Sequence, residues 1–134
     1  SAWGGDELRK IGIWDVHGHV GTPGATPAKR MEALVRIADR VGVERLCICM
    51  SPPWNYEPTP EQVRQSNDDV LEILKHWSSR AFGFVYLNPK HTRESLDELA
   101  RCVADGPMIG HPPCSGLRPL PPSHGRAVDA LRPA

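Results

Sequence analysis

Hydrophobic positions along the chain gather into short apolar runs that alternate with longer stretches of helical spacing. Ile11-Gly12-Ile13-Trp14-Asp15-Val16 is short and apolar, and a turn-rich stretch containing Gly18, Gly21, Pro23, Gly24 and Pro27 follows it. This is the pattern of a buried strand feeding a loop. From Ala28 to Val41, Met31, Leu34, Val35, Ala38 and Val41 keep helical spacing, and Gly42 stands where a C-terminal glycine stops a helix. Arg45-Leu46-Cys47-Ile48-Cys49-Met50 is nearly continuously apolar, as in a strand covered on both faces, and breaks into Ser51-Pro52-Pro53-Trp54.

The second half repeats the theme. Thr59-Pro60-Glu61-Gln62 predicts a helix start, with Thr59 as N-cap, Pro60 at the first helical position and Gln62 closing a capping box. Val63, Val70, Leu74 and Trp77 supply its apolar face. Ala81 to Leu87 reads as a third strand ending at Asn88-Pro89, and Thr92-Arg93-Glu94-Ser95 opens a third helix carrying Leu96, Leu99, Ala100 and Val103. Pro107-Met108-Ile109-Gly110 would start a fourth strand. Repeated βα units of this kind predict an α/β fold with a parallel sheet and right-handed crossovers. After Gly110 the periodicity stops: residues 111–134 hold six prolines (Pro112, Pro113, Pro119, Pro121, Pro122, Pro133) and one acidic residue, Asp129. Prolines at that density remove backbone donors from helix and sheet alike, so this tail is expected to be extended and poorly ordered. The chain thus divides into a folded portion, 1–110, and a Pro-rich tail, 111–134.

Composition narrows the classes of partner. Sixteen basic residues balance sixteen acidic ones, which gives no footprint for nucleic acid or an anionic membrane and favours a small-molecule substrate. No apolar run reaches the roughly 18 residues of a membrane span, and Ser1 to Asp6 lacks the pattern of a signal peptide, so the expectation is a soluble, cytoplasmic protein. Cys47, Cys49, Cys102 and Cys114 are too few and too irregular for a disulfide framework or a four-thiolate site, and read as buried thiols.

Chemistry concentrates at the end of the first strand. His17 and His19 stand at i and i+2, so on an extended segment their rings point the same way and can converge on one ion, with Gly18 leaving room between them. Asp15, two residues earlier on the same face, is placed to act as a ligand or to brace the site. Strand C-termini are where parallel α/β folds collect reactive groups. A structural histidine pair is the plainer alternative. Asn88 at the end of the third strand is placed either to face substrate or to cap the turn before Pro89. Trp54 and Tyr56 could wall a pocket or pack under their loop, while His76 and His91 read as solvent-facing.

The string Ile13-Trp14-Asp15-Val16-His17-Gly18-His19-Val20-Gly21 resembles the first-strand signature of the amidohydrolase superfamily, in particular its amidohydrolase-related branch of metal-dependent hydrolases and decarboxylases. Asn67-Asp68-Asp69-Val70, Ser79-Arg80-Ala81-Phe82-Gly83-Phe84, Leu87-Asn88-Pro89 and Gly106-Pro107-Met108-Ile109-Gly110 are similar to later segments of that branch. The resemblance covers about residues 11–110 and implies a partial (β/α)8 barrel of TIM type with about four βα units, a complete barrel needing roughly 250 residues. It also implies a divalent metal, by preference zinc, held by His17 and His19 with Asp15 in support, and hydrolysis of an amide, ester or lactone or decarboxylation of an aromatic or unsaturated acid. The family's further histidines and its aspartate base have no counterpart after Gly110, so the chain is expected to be truncated or frame-disrupted, with its own turnover in question. His111 is the nearest candidate for a third histidine, ahead of Cys114 and His124. Two other readings compete: a non-catalytic half-barrel that works by association through its open sheet edge, for instance as a homo-oligomer, and a metal-dependent phosphoesterase, whose barrels also open on Asp-x-His-x-His.

Overall fold

The structure, a computed structural model, describes residues 12–20, 26–50 and 57–110. Its elements run β1 (Ile13–His19), α1 (Pro27–Val41), β2 (Val43–Cys49), α2 (Pro60–Trp77), β3 (Ala81–Gly83) and α3 (Thr92–Leu99), with a π-type turn over Ala100–Ala104. The helix ends fall where local chemistry puts them. Thr26 caps α1 by accepting from the Lys29 N–H at 3.4 Å, Pro27 fills the first turn, and Gly42 closes it in the left-handed conformation at φ 79°. At α2 the full capping box forms: Thr59 Oγ1 accepts from Gln62 N at 3.3 Å and Gln62 Oε1 accepts from Thr59 N at 3.0 Å.

The strands form one parallel sheet in the order β1-β2-β3. A fourth strand begins beside β3, where Phe84 bridges to Gly110 in parallel, Val85 N donates to Gly110 O at 2.7 Å and Ile109 N donates to Gly83 O at 2.9 Å. The described residues therefore hold three βα units and the first contacts of a fourth. The regular ladder of β3 is shorter than the predicted run from Ala81 to Leu87. Beyond it, the Asn67 side chain takes the place of a neighbouring strand: its Oδ1 accepts from Tyr86 N at 2.7 Å and its Nδ2 donates to Tyr86 O at 3.1 Å.

The helices cover one face of the sheet. Leu46, Ile48 and Met50 of the second strand and the residue after it join Met31, Val35 and Ala38 of α1 and Val70, Ile73 and Leu74 of α2 in a single buried core, with Ala81 and Val85 contributed by the third strand and its continuation. Close approach of α2 to the sheet needs Gly83, since a Cβ there would lie 2.8 Å from both Leu74 Cδ1 and Val70 Cγ1. Two polar groups inside this layer, Asn67 and Glu98, are paired. Asn67 also donates to Glu98 Oε2 at 2.9 Å, and Arg101 grips the same carboxylate through Nε at 2.9 Å and Nη2 at 2.7 Å. Burial alone would raise the Glu98 carboxyl's pKa. Hydrogen bonds from Arg101 and Asn67, with the charges of Arg101 and Arg64, outweigh that and hold it below the usual carboxylate range.

Two sequence expectations need correction. The apolar run predicts a buried strand ending near Val16; the strand instead continues through His19, and Ile13, Trp14 and Val16 are 38%, 51% and 61% exposed. The reason is position: β1 pairs only with β2 among the described residues, and α1 and α2 pack over β2 and β3 rather than over it. Val41 and Leu96, assigned to apolar helix faces, are also exposed, because they lie past the stripe that meets the sheet. β2, by contrast, is buried as its pattern predicts, from Leu46 through Cys49. Cys47, Cys49 and Cys102 are buried thiols, and burial pushes the Cys102 thiol up to about 11. No helix among the described residues is long and apolar enough to cross a membrane. Trp54, Tyr56, His111, Cys114, His124 and the whole Pro-rich tail lie outside the described residues.

Candidate metal centre

Alternation along β2 separates two faces. Leu46 and Ile48 point into the helical layer, so Arg45, Cys47 and Cys49 point to the opposite, open face. Phe82 pairs with Cys47 across β2 and β3 and stacks on Trp14 with ring centroids 5.2 Å apart, while the Arg45 guanidinium lies 5.8 Å from the Phe82 centroid. The aromatic pair therefore lies on the open face, beside Cys47 in the register.

At the carboxyl end of the same face, the two histidines of β1 meet. His17 Nε2 and His19 Nε2 are 3.0 Å apart, with ring centroids 4.8 Å apart in an edge-on arrangement. The i, i+2 spacing has brought the rings together as the sequence predicts. Both histidines are exposed, whereas Gly18 between them is buried and looks toward Ile48. Asp15 braces the pair through the backbone: its Oδ1 accepts from His17 N at 3.0 Å, across the register irregularity between Asp15 and Gly18.

A third donor, which the sequence reading took only for a buried thiol, completes the group. His19 and Cys49 are register partners on β1 and β2, and Cys49 Sγ sits 3.7 Å from His19 Nδ1. One donor atom from each of His17, His19 and Cys49 falls within 4.8 Å of the others. The signal was present in the sequence as a cysteine at the last position of the second strand, but only the register turns it into a neighbour of the histidine motif.

These donors fit a divalent ion. Zinc–imidazole bonds of about 2.0–2.1 Å set two nitrogens on one tetrahedral ion roughly 3.3 Å apart, and His17 and His19 already stand within a few tenths of an ångström of that separation. Imidazole suits zinc, iron and related ions and does not select strongly among them.

Other singled-out residues are placed elsewhere. Asn88 is buried, its Nδ2 donating to Pro58 O at 3.0 Å and its Oδ1 accepting from Lys90 N at 3.0 Å, so its amide holds the turn before α3 to the start of α2. His76 is exposed beside Glu72 on α2, and His91 precedes α3. A shallow hollow between α2 and α3, lined by Pro60, Glu61, Arg64, Glu94, Asp97 and Glu98, is acidic and holds neither histidine nor cysteine.

No protein-family profile matches the chain, and no curated protein does. Solved structures do. A dihydroxybenzoic acid decarboxylase from Polaromonas sp. JS666, with bound manganese and the inhibitor 2-nitroresorcinol, superposes with a TM-score of 0.61 at 21% identity, over 75% of this chain and 37% of its own. A 2,6-dihydroxybenzoate decarboxylase complexed with 2,6-dihydroxybenzoate gives 0.55 at 20% identity, over 75% of this chain and 37% of its own. The Rhizobium 2,6-dihydroxybenzoate decarboxylase gives 0.55 at 20% identity, over 74% and 36%. The chain thus spans little more than a third of the length of these proteins. At 20–21% identity the likeness is one of backbone fold over that part of these proteins.

Proposed function

We propose that this chain carries the N-terminal, metal-binding strands of a metal-dependent decarboxylase of the amidohydrolase superfamily that acts on a hydroxylated aromatic acid. The carrying observation is the convergence of His17 and His19 at 3.0 Å at the carboxyl end of β1, on a backbone that superposes on dihydroxybenzoate decarboxylases. Decarboxylation is favoured over amide, ester or lactone hydrolysis and over phosphoester cleavage because all the structural relatives described above are decarboxylases.

A divalent ion bound here supplies a fixed positive charge that polarises a carboxylate or phenolate oxygen. The chain's own contributions are positional. His17 and His19 present imidazole nitrogens from alternate positions of one strand, Asp15 fixes the His17 backbone, and pairing with the buried β2 holds the strand in register. Asn88 holds the segments at Pro58 and Lys90 together, away from these donors' own contacts.

The test uses the protein that carries this chain. Release of carbon dioxide from 2,6-dihydroxybenzoate should require a divalent metal and disappear in His17→Ala, while a panel of esters, lactones and phosphoesters stays intact. Metal-dependent cleavage of the panel without decarboxylation would overturn the reading.

A second reading, association of two copies through β1, draws support from the exposed Ile13, Trp14 and Val16 on a strand that pairs on one side only among the described residues. Concentration-dependent size-exclusion elution that Val16→Lys abolishes would support it, and a monomer at all concentrations would exclude it.

A further inference from the structure

We propose that Cys49 is a third protein ligand, making the centre a His2Cys site that takes zinc or cobalt in preference to manganese. This rests on the metal-binding reading above and adds to it a residue from a second strand. Three observations carry it. Cys49 is the register partner of His19 on β2. Its Sγ lies 3.7 Å from His19 Nδ1, close to the roughly 3.6 Å that separates sulfur and nitrogen ligands on one tetrahedral zinc with bonds of about 2.3 and 2.05 Å. Finally, donor atoms from His17, His19 and Cys49 come within 4.8 Å of one another.

The His19 ring stands between the other two donors, its Nε2 toward His17 and its Nδ1 toward Cys49. One ion uses only one of those nitrogens. The torsion that turns an imidazole is broad and soft, so the exposed ring reorients at little cost, whereas the Cys49 sulfur is held by a buried strand. On coordination the thiol proton leaves to solvent and the thiolate binds; no electron transfer is involved. Cys47 is the internal control. It lies on the same face of the same strand two residues earlier, pairs with Phe82 under the Trp14 ring stack, and is not among the converging donors.

A thiolate changes selectivity. Manganese prefers oxygen donors, while soft sulfur ligands favour zinc and its spectroscopic substitute cobalt. Two strands also fix the ion where a single strand would leave it on a mobile edge.

Titration of the full chain with cobalt(II), followed by absorption, reads the ligand directly. The wild type should develop a thiolate-to-cobalt charge-transfer band and tetrahedral d–d bands. Cys49→Ser should lose the charge-transfer band and bind at least about tenfold more weakly, and Cys47→Ser should keep both, with circular dichroism confirming that each variant is folded. Zinc should displace the cobalt at far lower concentration than manganese does. Cobalt binding that depends on His17 but shows no thiolate band, or a band that survives Cys49→Ser, would overturn the Cys49 assignment and leave the histidine site standing. Absence of any His17-dependent cobalt binding would overturn both. If Cys49→Ser were unfolded, Cys49→Ala and cadmium-113 resonance of the wild type, whose shift reports sulfur ligation, decide the same question.

Discussion

The two faces of the β1-β2-β3 sheet are built by opposite rules. On the helical face packing is close: Met31, Ile48, Ile73, Val70 and Val85 are fully buried, and Asn67 and Glu98 are satisfied by Tyr86 and Arg101. On the open face the apolar cover is partial, Trp14 is half exposed, and the most chemically capable residues, His17 and His19, stand at its rim. Close packing belongs to the first face, and the candidate metal donors to the second. A substitution's effect should therefore depend more on which face it touches than on its distance along the chain.

The largest stability loss should come from Glu98→Ala. It leaves Arg101 without its main partner and Asn67 Nδ2 with one acceptor fewer, and breaking a buried ion pair typically costs about 3–5 kcal/mol. Arg101 keeps an ion pair with Asp68 at 2.7 Å, so the lower end of that range is expected in urea denaturation. The same carboxylate links stability to pH. Its folded pKa lies below the unfolded value, so its contribution is complete above the ordinary carboxylate range and fades as pH falls through the folded pKa. Wild type should lose stability on that acid limb, and Glu98→Gln should show a flatter one. An unchanged acid limb would remove Glu98 from the account.

Comparable in size is Met31→Ala, which opens a cavity between α1 and the sheet and should cost about 2–5 kcal/mol. The smallest effect belongs to the exposed strand β1. Val16→Ser removes an apolar side chain that is already 61% exposed, and should change stability by no more than about 0.5 kcal/mol. A Val16→Ser loss as large as that of Met31→Ala would show that β1 is buried in solution, by a second copy or by further chain, and the contrast between the faces would fail.

The helical layer was legible in the sequence because its signals are local. Thr59, Pro60 and Gln62 specify a helix start without reference to anything distant, and Gly42 specifies a stop. The histidine pair was legible for the same reason, since two residues on one strand carry their own geometry. What escaped was set by pairing across strands. Ile13, Trp14 and Val16 signal burial by composition, but composition does not say whether a neighbouring element exists to bury them. Asn67 belongs to a segment similar to the family's second helix, yet its use as a surrogate strand partner for Tyr86 depends on where α2 crosses the third strand. Cys49 lies thirty residues from His19 and became its neighbour only through the β1–β2 register.

The central claim is that the exposed carboxyl end of β1 is a metal site, and isothermal titration of the full chain with zinc tests it most directly. Wild type should bind one equivalent, and His17→Ala and His19→Ala should each bind roughly tenfold more weakly or worse while keeping wild-type stability without metal. Equal binding by all three proteins, or none by any of them, would contradict the account.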